Sequence, residues 1–248
     1  MRVFIIGRKQ KRWLAVFLAL GVLIAFLLPW TASAQERLLP IYNVQMEEKK
    51  AAITFDLAWE DTDFEEILSL LEENNLKATF FVTGDWASRY PEHVRELAEK
   101  GHDVQNHSDQ HPHVAQLPAN TLLKDTERCS DVIEQLTGKR PVFYRAPYGE
   151  YNNRVLETLS DYQVIQWNVD SRDWKPDATV DSICKNVLEG LCPGSILLFH
   201  VDSKAKNTAA ALREILDTLN GSYQFVLLDE LLPDGAYHIN MNGTLIPD

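Results

Sequence analysis

Two spacings of apolar residues alternate along most of this chain. Short runs with continuous or alternating apolar positions read as strands over 51–56, 78–83, 102–106, 142–145, 163–169, 195–200 and 224–228. Between them apolar residues recur at helical spacing over 62–74, 91–100, 118–137, 152–160, 179–189 and 208–219. Ile67, Leu68, Leu70 and Leu71 follow an acid-rich first turn, which suits the positive end of a helix dipole. Pro91 opens the next helix and Gly101 closes it. Gly138 ends the long helix that runs back through Leu136, Ile133, Val132 and Cys129. Strands alternating with helices predict parallel βα units and an α/β protein. Seven strands are one short of the usual eight, so the expected barrel is irregular or incompletely closed. Residues 35–50 show no periodicity and read as a lead-in, and the polar residues 233–248 read as a loose C-terminal tail.

Five polar clusters close strand-like runs: Thr54-Phe55-Asp56, His107-Ser108-Asp109-Gln110-His111, Arg145-Ala146-Pro147-Tyr148-Gly149, Asp170-Ser171-Arg172-Asp173-Trp174 and Leu198-Phe199-His200. A barrel of this kind keeps its chemistry at the carboxyl ends of the strands, with different strands supplying different residues. His107 and His111 stand four apart, a spacing that suits a divalent metal when both fall on one turn, though exposed loop histidines share it. Pro112 separates His113 from that pair, so His113 reads as loop; His102 and His93 read as structural. Asp56 is either a cap for the next helix or a general base beside a metal-bound water. Arg145 is always charged and fits as the partner of that carboxylate. Pro147-Tyr148-Gly149 is either a plain β-turn or a turn whose N–H faces an oxyanion. His200 is either a satisfied core histidine or a buried general acid tuned by Asp173. Trp174 is either a core aromatic or the apolar wall of a sugar groove.

Composition changes this picture at three points. Residues 1–12 carry five basic side chains and no acid, 13–30 are apolar, and Ala32-Ser33-Ala34 precedes Gln35. That order is a secretory signal peptide over 1–34, or an uncleaved signal anchor, and either puts the globular part outside the cytoplasm. The formal charge of −12 becomes −17 over 35–248 once those basic residues are removed. Such a surface disfavours nucleic acid and anionic membrane as partners, leaving membrane contact only to an uncleaved N-terminal segment; ordinary solubility explains the charge equally well. Cys129, Cys184 and Cys192 make no disulfide framework and read as buried free thiols.

Taken together, the five clusters resemble the polysaccharide deacetylase family, the NodB-type carbohydrate esterases, over roughly residues 50–232. All five family motifs occur in order. Thr54-Phe55-Asp56-Leu57-Ala58-Trp59 is most similar to the sporulation-type branch. The resemblance implies a deformed (β/α) barrel of about seven parallel strands, forming the catalytic domain over 51–232. It implies metal-dependent removal of N-acetyl groups from amino sugars in a polysaccharide, and the export signal puts peptidoglycan before chitin-like chains. It makes Asp56 the base, His107 and His111 the metal pair, Arg145 the residue that orients the base, and the Tyr148 amide the oxyanion donor. Asp173 and Trp174 become the tuning and groove-lining pair, Leu198 an acetyl-pocket wall and His200 the general acid. The implied cofactor is a divalent metal, zinc first. One departure matters: the family's first motif carries a second aspartate as third metal ligand, and here that position is Leu57. A non-catalytic glycan-binding homologue is therefore the second expectation. A two-carboxylate glycosidase using Asp56 and Asp173 is the third and weakest, because it leaves the histidines and Arg145 without roles.

Overall fold

The structure, a computed structural model, describes residues 36–248, with Gly7 and Trp13 alone ahead of them. The expected signal or anchor segment over 1–34 otherwise lies outside the described residues. Among the described residues no helix is long and apolar enough to cross a membrane.

A curled, mostly parallel sheet organises residues 37–248. In chain order its strands are β1 (Asn43–Val44), β2 (Lys50–Leu57), β3 (Thr79–Val82), β4 (Asp103–Asn106), β5 (Phe143–Tyr144), β6 (Gln163–Val164), β7 (Val169–Asp170), β8 (Ser195–His200), β9 (Gln224–Val226), β10 (Tyr237–Ile239) and β11 (Thr244–Pro247). The helices are α1 (Phe64–Glu73), α2 (Gly84–Arg89), α3 (Pro91–Glu99), α4 (Ala119–Thr137), α5 (Asn153–Thr158), α6 (Val180–Gly190), α7 (Thr208–Leu219) and the short α8 (Leu228–Leu231). β2 is central: it pairs in parallel with β3, with β8 and, at its start, with β9. The ladder continues through β4, β5 and β6 on one side and through β8 to β7 on the other. The fold is a deformed (β/α) barrel.

The period-2 pattern of β2 explains its two-sided burial. Ala51, Ile53, Phe55 and Leu57 pack into the cluster under the helices, with Phe64, Ile67, Leu71 and Trp86. Ala52 turns to the barrel interior, with Phe81, Ile165 and Ile196. Phe55 stacks on Phe80 with ring centroids 5.0 Å apart. Burying one such aromatic contributes about 1.5–3 kcal/mol.

Three expectations need correction. The strand expected over 163–169 is two short strands with an irregular joint. Ile165 still donates its N–H to Tyr144 O of β5 at 2.9 Å, but its neighbour Gln166 donates to Ile41 O at 2.7 Å; Asn168 then reaches β8 through Ser195 and the Ile196 N–H. One segment serves both ends of the ladder, and the crossing between them breaks regular pairing. The tail over 233–248 is not loose: β10 and β11 form an antiparallel pair, and β11 docks in parallel on β1 from the lead-in. These strands are too short and too polar to show a period in sequence. Cys192 is half-buried rather than buried; Cys129 and Cys184 are buried, and all three cysteines are free. α2 has no counterpart among the expected elements; Thr83 caps it by accepting from the Trp86 N–H at 3.1 Å.

Candidate active site

Asp56 and His200 stand in register at the carboxyl ends of adjacent parallel strands. Both line a cleft of about 460 Å³ together with His107, His111, Tyr148, Trp174 and Leu198. Arg145 and Asp173 lie behind the cleft wall, each almost wholly buried. Arg145 is therefore not part of the lining and supports it from behind.

Asp56 is held by Arg145, whose Nη1 donates to Oδ1 at 2.8 Å. The same nitrogen donates to Thr54 Oγ1 at 2.9 Å, Nη2 donates to Gln166 O at 3.2 Å, and the guanidinium lies 4.0 Å from the Phe81 ring centroid. Burial alone would raise the Asp56 carboxyl. Arg145, helped by the His200 ring, outweighs it and holds the group below the ordinary carboxylate value.

His200 is the counterpart. Its Nδ1 meets Asp173 Oδ1 at 2.8 Å, and its backbone N–H donates to Oδ2 at 2.7 Å. Thr208, at the start of α7, donates to the same Oδ2 at 2.8 Å. Burial works against a charged ring, but the Asp173 carboxylate prevails and lifts His200 to about 8.

The two remaining imidazoles are neutral. His107 Nδ1 lies 2.9 Å from Arg145 O, which can only accept, so this nitrogen carries the proton. The Nε2 lone pair of neutral His107 then faces Asp56 Oδ2 at 3.6 Å. Burial lowers His107, and burial with His107 nearby lowers His111 to about 3. His111 Nδ1 is buried without a hydrogen-bond partner, and its ring centroid lies 5.0 Å from that of His107. A neutral imidazole oriented by a backbone carbonyl, beside one with an orphaned nitrogen, is a donor set suited to a divalent cation. Leu57 is fully buried in the core cluster and offers no ligand atom. The residues present therefore fit a two-imidazole site completed by solvent, not a three-ligand one. The metal-capable trio among the described residues, Glu65, His93 and Glu96, lies on α1 and α3.

The Tyr148 turn is strained and braced. Tyr148 sits in the left-handed region at φ 58° within the 3-10 turn Pro147–Gly149. Its ring is 4.5 Å from His111 and stacks on His113 at 4.4 Å; Glu150 pairs with His113 at 2.8 Å. Gln166 Nε2 donates to Gly149 O at 3.2 Å. A Cβ at Gly149 would lie 3.0 Å from Trp167 Cη2, and the backbone there has φ +66°, a conformation that favours glycine.

His113 proves to be a brace for Tyr148, and His102 is structural, accepting from the Ala78 N–H at 3.2 Å. Sequence reasoning missed Thr208, Gln166 and Thr54. Only Thr54 carried a signal, as a polar residue inside an apolar strand.

The chain belongs to the polysaccharide deacetylase family, whose sequence model matches residues 43–167. It is 34% identical over 175 residues to a peptidoglycan-N-acetylglucosamine deacetylase of Bacillus cereus, a match covering 69% of this chain and 63% of that protein. The chain thus spans less than two thirds of that relative's length. Among solved structures it is similar to a CE4 family pseudoenzyme from Bacillus anthracis, at 27% identity and a TM-score of 0.73, covering 79% of this chain and 69% of that one. A mutant of that pseudoenzyme is described as having restored enzymatic activity. It is also similar to a family 4 acetyl xylan esterase from Clostridium thermocellum in complex with a cobalt ion, at 29% identity and a TM-score of 0.70, covering 74% and 90%.

Proposed function

We propose that this chain is an extracytoplasmic polysaccharide N-deacetylase acting on N-acetylated amino sugars, peptidoglycan first. One observation carries the reading. Asp56 and His200 face one cleft from adjacent strands, and their surroundings push their proton affinities apart. Near neutral pH the carboxylate is deprotonated and the imidazole protonated. Those are the states a base and an acid need to cleave an amide.

In this mechanism Asp56 orients a water and takes its proton as the water attacks the acetyl carbon. Arg145 holds the carboxylate in place. The Tyr148 N–H donates to the oxygen on which charge develops. His200 gives its proton to the leaving amine, and Asp173 stabilises the ring while it is charged. Leu198 packs against the acetyl methyl, and Trp174 against a sugar face. His107 and His111 would hold a divalent ion, which when bound polarises the acetyl carbonyl.

A second reading is a glycan-binding homologue without turnover. Leu57 at the third ligand position favours it, and so does similarity to a pseudoenzyme. Acetate release from N-acetylglucosamine oligomers and from peptidoglycan, with and without added zinc, separates the two. Acetate above the no-enzyme rate supports the deacetylase; none under either condition, with glycan still bound, leaves the binding module.

A further inference from the structure

Trp59 is a large apolar side chain left in the open: its surface is 47% exposed, whereas the neighbouring Leu57 is fully buried. It sits immediately past the carboxyl end of β2 and lines the cleft next to Asp56. Its backbone is tied on both sides by α2: Arg89 Nη2 donates to Ala58 O at 3.2 Å, and Trp86 Nε1 donates to Glu60 O at 3.1 Å. Its ring rests on His111, with centroids 5.2 Å apart. Exposed hydrophobic side chains scattered singly need no explanation, but a rigid aromatic fixed at the mouth of a polar cleft does. Trp174, 45% exposed, lines the same cleft from beyond β7, with β8 and His200 between the two strands. Those strand ends stand roughly 10 Å apart.

We infer that Trp59 is a stacking platform for the apolar face of a pyranose ring next to the one being deacetylated, so that the cleft takes a glycan chain rather than a single amino sugar. A flat indole presents a large apolar face at little conformational cost. Asp170, Asp202 and Lys204 line the same cleft and offer partners for sugar hydroxyls. The inference rests on the deacetylase reading for its substrate class, but it concerns binding and can be tested apart from turnover.

The test measures binding of the N-acetylglucosamine tetramer and monomer by calorimetry, for the native chain, Trp59→Ala and Trp59→Tyr. Trp59→Ala is expected to weaken the tetramer about three- to tenfold, the scale of one lost aromatic contact. Monomer affinity should fall far less than tetramer affinity, and Trp59→Tyr should recover most of the tetramer loss. Unchanged tetramer affinity in Trp59→Ala, or no tetramer binding by the native chain, overturns the inference. Tetramer binding that depends on Trp59 without acetate release keeps the inference and removes the deacetylase reading. Acetate release from the tetramer at an unaltered KM in Trp59→Ala does the reverse.

Discussion

The two sides of the cleft are finished to different degrees. Asp56 and His200 each have a dedicated buried partner, and those partners are themselves tied down by Thr54, Gln166 and Thr208. The imidazole corner has two nitrogens available, one of them buried and orphaned, and a hydrocarbon where the family carries a third ligand. Buried charges persist only when paired and hydrogen-bonded, so the Asp56–Arg145 arrangement costs too much to be incidental. In the proposed function the proton-handling side is then the fully supported half, and the imidazole corner the less complete one.

The largest expected effect comes from removing the base. Asp56→Asn keeps the shape of the side chain and removes the proton acceptor, so acetate release should fall about 10³-fold. It also leaves the Arg145 guanidinium buried beside a neutral amide, which should lower the unfolding free energy by about 3 kcal/mol in urea titrations. Zinc occupancy should stay as it was. Undiminished turnover in Asp56→Asn would remove the base assignment and with it the contrast between the two sides.

Next comes the acid. His200 is protonated up to about pH 8, so kcat should hold through neutrality and fall as pH rises past that value. His200→Asn should cut amide hydrolysis by about 10²-fold and abolish the alkaline fall. Stability carries the same sign. The folded pKa is raised above the ordinary histidine value of 6.5, so the His200–Asp173 pair contributes fully below that value and its contribution disappears as pH climbs through about 8. Asp56 behaves oppositely: its folded pKa is depressed, so its contribution is present above the ordinary carboxylate value of 3.8 and is lost as pH falls through its lower folded value. An alkaline limb that persists in His200→Asn would assign it to another group.

Long periodic segments made most of the barrel legible in sequence. β2 shows an apolar run interrupted only by Thr54 before Asp56, β8 shows one that leads to His200, and α4 shows a clean stripe closed by Gly138. What escaped was short or non-local. β10 and β11 span a few residues each, and their stability comes from docking on β1 across the whole chain length, which no local pattern records. Gln166 escaped for a similar reason: its carbonyl and side chain serve two points of the segment after β5, Arg145 and Gly149, and both partnerships depend on the irregular joint between β6 and β7. The resemblance to a family supplied the expected roles of Asp56, His107, His111 and His200; burial and charged neighbours supply the reasons for the directions in which their proton affinities move.

The metal corner can be sharpened by Leu57→Asp. A carboxylate at this buried position has no partner in the apoprotein, so Tm should fall when zinc is absent. If position 57 reaches the ion, added zinc should restore Tm by far more than in the native chain, because ligand binding stabilises the folded state in proportion to ln(1 + [L]/Kd). Zinc affinity should rise about tenfold or more, as a three-ligand site replaces a two-ligand one. Equal zinc-induced Tm shifts in both proteins would mean that the introduced carboxylate does not contact the ion, and that the incompleteness of this corner has another cause.

The smallest effect tests whether the two sides are joined. Gln166 accepts from Arg145 through its backbone carbonyl and holds Gly149 through its side chain, so it connects the support of the base to the turn that carries Tyr148. Gln166→Leu keeps the carbonyl and removes only the bond to the turn. A lost hydrogen bond of about 1 kcal/mol predicts roughly a fivefold fall in kcat with KM unchanged. The choice of substrate then separates turn from acid. An activated acetyl ester needs little leaving-group protonation but still develops charge on its carbonyl oxygen, so Gln166→Leu should slow ester and amide alike. His200→Asn should spare the ester. If Gln166→Leu slows only the amide, its side chain acts through the acid side, and the link from Arg145 to the Tyr148 turn has no part in stabilising the oxyanion.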